Sequence, residues 1–234
     1  MLFEPSSIMS LDEAEQVLYT YGTLKTQWDD DTLSWNPSNY SGITSFLWPQ
    51  DDVWLPDLVI SNSVTDARRL GFKEMPVRIE SSGAVSWFPS MILATSCDMD
   101  ITYYPFDTQK CNIILSTTMS TYEEISILPR GNPISWAEYS PGGSWELKAI
   151  VATELDNQGD ITRIQFEMTL KRLRTYYVMN IILPVIFLSL TASLVFYLPA
   201  DAGEKIGMSM TVLLAYAVYL TIIADNMPQT SLQV

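Results

Sequence analysis

Near the carboxyl end of the chain, Tyr176 to Leu198 (YYVMNIILPVIFLSLTASLVFYL) runs for 23 residues without a charged side chain. As a helix that run is long enough to cross a lipid bilayer. It restricts the fold severely, because in lipid only helices and closed barrels satisfy their own backbone. Pro184 lies inside it. A proline would break a soluble helix there, whereas in a membrane a neighbouring helix can satisfy the freed carbonyl. Tyr176, Tyr177 and Tyr197 sit near the ends, where interfacial aromatics belong. A buried core helix is the alternative, and the length argues against it.

A polar turn, PADAGEK (199–205), leads into a second segment, Ile206 to Ala224 (IGMSMTVLLAYAVYLTIIA), 19 residues without a charge. At helical spacing Gly207, Thr211, Leu214, Val218 and Thr221 share one face. That stripe is polar at its start, apolar in the middle and polar near its end. A helix lining a water-filled path has a use for it. Close helix packing through small residues is the other reading, and periodicity leaves both open.

Up to Arg172 the chain reads as a water-exposed domain with 11 basic and 24 acidic side chains. Such a charge repels nucleic acid and concentrates cations, although solubility alone also accounts for it. The sequence has no histidine, no CxxC, no phosphate-binding glycine loop and no GxSxG elbow. It therefore predicts no zinc or other metal centre, no cofactor and no enzyme. Asp29–Asp31 reads as a solvated turn, or at most a divalent-cation site.

Short strands dominate this region. In Thr162–Arg172 the apolar Ile164, Phe166, Met168 and Leu170 alternate with Arg163, Gln165, Glu167, Thr169 and Lys171, the pattern of a half-buried antiparallel strand. WELKAIVATEL, AVSWF and KCNIILSTT are further candidates, separated by turn signals such as SSG, PGG and DNQGD. The expectation is an immunoglobulin-like, mainly β antiparallel sandwich over 1–172, followed by membrane helices over 173–234. Within the second part, span one covers about 176–198, the turn 199–205, span two about 206–224 and an outer loop 225–234.

The only two cysteines, Cys97 and Cys111, can close a 15-residue loop, worth roughly 3 kcal/mol in the chain-entropy model. Two free buried thiols are the alternative. Tyr104-Pro105 within the loop is a candidate cis bond. The basic KRLR run (171–174) argues for a cytoplasmic placement by the positive-inside rule, but that rule weakens for a long translocated domain. A disulfide and the sequon Asn39-Tyr40-Ser41 both favour an outer placement. No signal peptide is legible in MLFEPSSIMS, so the amino end is expected to lie upstream.

The 13-residue spacer between the cysteines, ending in YPFD, resembles the signature of the Cys-loop receptors, the pentameric ligand-gated ion channels. WNPSNYSGITSFLWPQDDVWLPDLVISN and LVFYLPADAGEKIGMSMTVLL are similar to segments of its nicotinic acetylcholine receptor-like, cation-selective branch. The resemblance runs from about Ser10 to Ser231. It implies a multi-pass plasma-membrane protein with its large domain outside, assembled with four identical or related subunits and opened by a small-molecule agonist to pass cations. The family's third and fourth spans and its amino-terminal helix are absent, so the chain reads as a fragment, or as a truncated non-conducting accessory subunit.

Residue by residue, the resemblance makes Cys97–Cys111 the family's disulfide. It makes Glu204 a cytoplasmic acidic ring, Leu214 the hydrophobic gate, Gly207, Thr211, Val218 and Thr221 pore-facing positions, and Asp225 the outer acidic ring. It assigns Glu13, Asp107 and Arg172 to a buried charge cluster that couples domain to pore. Tyr104, Pro105 and Phe106 would press on the loop after span two, near Pro228. At the agonist positions the aromatic cage is missing: Thr23, Ser61 and Thr118 stand where aromatics belong, and the capping loop around Ile161 lacks vicinal cysteines and tyrosine. A quaternary amine such as acetylcholine is therefore not the expected agonist. Trp87, Trp136, Tyr139 and Trp145 read mainly as core residues, with Trp87 also aligned to the pocket.

Overall fold

The computed structural model describes residues 1–65, 70–72, 74–129, 139–141, 143–155, 161–197 and 204–225. Among the described residues, ten strands build two sheets: β1 (Leu2–Asp12), β2 (Val17–Asp29), β3 (Ser45–Pro49), β4 (Leu58–Ile60), β5 (Pro76–Glu80), β6 (Ala84–Trp87), β7 (Ser90–Ser96), β8 (Thr108–Thr121), β9 (Trp145–Leu155) and β10 (Ile161–Arg172). One sheet has the order β1-β2-β6-β5-β3, with β7 also paired to β2; the other has the order β4-β8-β10-β9. Every pairing between these strands is antiparallel.

The expected sandwich is what forms. In β10 the side chains of Ile164, Phe166, Met168 and Leu170 are fully buried, while their neighbours face outward. They meet β1 across the core, where the Phe3 and Phe166 rings lie 5.9 Å apart. Gly22 in β2 lets this happen: a Cβ there would come within 2.6 Å of the Phe3 ring. The SSG signal is a β5–β6 turn in which Gly83 adopts φ +91°, the left-handed region open to glycine. The DNQGD signal and Trp136 lie outside the described residues. Asp30 accepts from the Thr32 amide and hydroxyl, so the triple-aspartate run is a turn cap.

Two helices follow. The first, Thr175–Tyr197, has a mean hydropathy of 2.2 and the second, Glu204–Ala224, a value of 2.0. Only 6 % of the most apolar window of the first is buried, and none of the second, so neither is a core helix. The first helix is not uniform: Val178–Ile182 is a π-turn that ends two residues before Pro184.

Candidate functional site

β10 places its apolar side chains inward on alternate residues, and the same alternation carries one step past Leu170 to Arg172. Register thus delivers a guanidinium to the buried face where the sandwich meets the first helix. Arg172 is only 3 % exposed. Its Nε donates to Asp107 Oδ1 at 2.6 Å and its Nη2 to Asp107 Oδ2 at 2.9 Å, a bidentate pair. Its Nη1 donates to Glu13 Oε1, on the turn between β1 and β2. Three rings enclose the cation, with centroids at 4.3 Å (Trp145), 4.8 Å (Tyr104) and 4.8 Å (Tyr177). Tyr177, in the first turn of the helix, also donates its hydroxyl to Glu13 Oε1 at 3.2 Å.

Burial pushes the Asp107 carboxyl up, but hydrogen bonds from Arg172 and Gln109 outweigh it and hold the group below its usual range. Burial also disfavours the Arg172 charge, and its bonds to Asp107 and Glu13 more than offset that, so its proton is held more tightly than usual. Tyr104 is pushed up to about 12, first by burial and then by the Glu13 charge. At neutral pH the junction therefore holds a charged Arg172–Asp107 pair and a neutral Tyr104.

Cys97 and Cys111 are bonded to each other, with Cα atoms 4.9 Å apart, and Tyr104-Pro105 is cis. Inside the loop they bracket, Gln109 donates to Asp107 Oδ2 at 2.5 Å and to the Asp100 carbonyl at 2.7 Å, and accepts from the Asp100 amide. Sequence reasoning missed Gln109, although polar residues at 107 and 109 fall in register with the inward-facing Cys111, Ile113 and Leu115. It missed the Arg172 contacts of Trp145 and Tyr177 as well. Tyr104 packs edge-on against Tyr177, with centroids 5.6 Å apart, and Pro105 is buried. Phe106 is 57 % exposed and carries Arg174 at 5.9 Å over its ring. Pro228, the expected partner of this tip, lies outside the described residues.

The second helix contacts the first through a face with half-buried Val212, Ala215, Tyr216, Tyr219 and Ile223. Gly207, Thr211, Leu214, Val218 and Thr221 lie on its other side and are exposed; Leu214 is 64 % exposed. Thr211 and Thr221 each donate their hydroxyl to the carbonyl four residues earlier, leaving oxygen lone pairs outward. Glu204 opens this helix and is exposed. Asp225 closes it, and its side chain lies outside the described residues.

The sequence matches the family model for the neurotransmitter-gated ion-channel ligand binding domain over residues 2–174, and that for the corresponding transmembrane region over residues 181–234. The chain belongs to the neurotransmitter-gated ion-channel family. Among curated relatives, it is 30 % identical over 231 residues to a neuronal acetylcholine receptor subunit beta-4 of Gallus gallus, covering 98 % of this chain and 49 % of that protein. It is 32 % identical over 232 residues to a neuronal acetylcholine receptor subunit alpha-6 of Rattus norvegicus, covering 97 % and 47 %. It is also 32 % identical over 230 residues to an acetylcholine receptor subunit alpha-1-A of Xenopus laevis, covering 96 % and 50 %. The chain thus spans about half the length of the curated relatives it matches. It is a Cys-loop receptor chain of the nicotinic-like branch, a plasma-membrane protein with its β-sandwich extracellular. The family is one of ligand-gated channels, not enzymes.

In this Cys-loop receptor chain the residues expected at the agonist pocket are divided between the sheets. Thr23 lies on β2, with its hydroxyl 2.7 Å from that of Ser90. Ser61, Thr118 and Ile161 lie on the β4-β8-β10 side. The Ser61 and Ser116 hydroxyls are 2.5 Å apart, Thr118 donates its hydroxyl to Asp57, and Ile161 pairs with Thr121. Trp87 does not belong with them. It is 1 % exposed and donates its indole N–H to Gln50 at 3.0 Å in the core, because its position on β6 faces inward. Sequence reasoning missed Asp57, whose carboxylate gathers Thr118–Ser120 at the end of β8 through their amides and the Thr118 and Ser120 hydroxyls. Burial raises its pKa, but those bonds dominate and bring it to about 2. The signal was an acidic residue just before a buried strand, with no basic partner nearby in sequence.

Proposed function

We propose that the chain is a subunit of a pentameric, cation-selective channel that an extracellular small molecule opens, with the second helix lining the pore. The observation that carries this reading is the Arg172 junction. One buried cation touches the β1–β2 turn through Glu13, the disulfide loop through Asp107 and Tyr104, the end of β10, and the first membrane helix through Tyr177. Movement of the sandwich is thereby transmitted to the helices. Five Glu204 carboxylates at one mouth would attract cations, and five Leu214 side chains would close the path by dewetting. The outward stripe, turned away from the first helix, supports both roles. The agonist is not a quaternary amine, since Thr23, Ser61 and Thr118 offer hydroxyls where a cation would need ring faces.

The test does not depend on knowing the agonist. Leu214→Ser in the full-length subunit should wet the gate and open the pore spontaneously. Diluting external NaCl should then shift the reversal potential negative, and adding Glu204→Ala should shrink that shift. A positive shift would overturn cation selectivity. Absence of current with the subunit at the cell surface would overturn the channel reading itself.

Asn39 is proposed to carry an N-linked glycan. It ends an exposed turn in an extracellular domain, and Tyr40 and Ser41 of its sequon are also exposed. Asn36-Pro37-Ser38 beside it is barred by its proline. An N-glycosidase should increase the gel mobility of the wild-type chain and leave the Asn39→Gln chain unchanged.

A further inference from the structure

Pro184 has no N–H, so the Asn180 carbonyl, which an α-helix would pair with it, loses its donor. The backbone ladder widens here into the Val178–Ile182 π-turn, where the Leu183 N–H reaches back to Val178. In a bilayer no water replaces the missing donor. The second helix replaces it: the Tyr219 hydroxyl donates to the Asn180 carbonyl and lies 3.1 Å from the Ile181 carbonyl. One turn earlier the Tyr216 and Ser189 hydroxyls are 2.8 Å apart. Both tyrosines lie on the half-buried face toward the first helix, opposite the Leu214 stripe.

We propose that the Tyr219 hydroxyl is a latch that positions the pore helix, holding it shut against the proline-freed carbonyls of the first helix. It is a positioning residue and lines no part of the pore. A phenylalanine at 219 would pack the same ring and donate nothing. In this proposal opening shifts the second helix against the first and breaks the Tyr219 bond, so weakening the bond favours the open state. This inference rests on the channel reading above.

The measurement is spontaneous open fraction in the full-length Leu214→Ser subunit, normalised to surface copies. Adding Tyr219→Phe should raise it about fivefold, the worth of one net hydrogen bond. Pro184→Ala supplies residue 184 with an N–H for the Asn180 carbonyl, and in that background Tyr219→Phe should have little further effect. A purely structural role would lower the number of surface copies without raising the open fraction of each. An open fraction that Tyr219→Phe leaves unchanged or lowers would overturn the latch and leave the channel reading standing. An equal rise with and without Pro184 would overturn the assignment to the freed carbonyl. No current in the Leu214→Ser subunit at the surface would remove the channel reading, and the latch with it.

Discussion

Arg172→Ala is expected to destabilise the extracellular domain by about 3–5 kcal/mol and to leave most of the subunit inside the cell. The domain as a whole has only about 5–15 kcal/mol to lose. The cost arises because two carboxylates, Asp107 and Glu13, would face one another without their cation, and Asp107 is almost fully buried. Tyr104, Trp145 and Tyr177 would also enclose a void instead of a guanidinium. Arg172→Lys should recover part of the loss. An ammonium keeps the charge but cannot bond both Asp107 oxygens in a plane and stack between rings.

The informative variant removes all three charges together, as Glu13→Leu, Asp107→Leu and Arg172→Met. Replacing a whole buried ionic cluster by apolar residues is often neutral for stability. This triple variant should melt near the wild type and reach the surface, yet fail to open normally, since the polar links between β1–β2 turn, loop and helix are gone. Thermal melting of the purified receptor and surface labelling check the first part, and current per surface copy the second. A wild-type melting temperature for Arg172→Ala would show that the junction is not held by this cluster.

Asp57→Asn is expected to lower stability at neutral pH by about 1 kcal/mol, because charge-assisted hydrogen bonds from Thr118–Ser120 at the end of β8 become neutral ones and solvent screens much of the charge. The bonds concerned come from the Met119 amide at 2.7 Å, the Ser120 hydroxyl at 2.8 Å, and the Thr118 and Ser120 amides at 3.1 Å each. The pH dependence has a definite sign. The folded pKa of about 2 lies below the ordinary carboxylate value, so the stabilisation is fully present above about pH 4. It is lost as the pH falls toward 2, where wild type and variant should converge. A gap in melting temperature that persists undiminished at pH 2 would show that shape, not charge, makes the difference.

Much of this molecule is written locally. The alternation from Thr162 to Arg172 declares a strand with one buried face, and that strand forms. Two charge-free runs of membrane length declare two helices, and among the described residues they are almost wholly unburied. The charge cluster entered the sequence reading through family resemblance, and the disulfide as one of two readings of the cysteine pair; both are present in the fold. Trp87 was aligned to the pocket but faces the core, because a short alignment cannot tell which side of β6 it occupies.

Length and periodicity suffice for the two spans and for individual strands such as β10, since each depends on residues near one another along the chain. The partners of Arg172 do not follow from local pattern, as Glu13 lies 159 residues away on the turn of one sheet and Arg172 ends a strand of the other, so they meet only when the two sheets pack. Asp57 gained its role in the same way, by holding the end of β8, 62 residues further along the chain. Tyr219 shows it most clearly: its value depends on a carbonyl 39 residues earlier that Pro184 left without a donor. A hydrogen bond needs both atoms within about 3 Å, and for residues so far apart only the packed chain sets that distance.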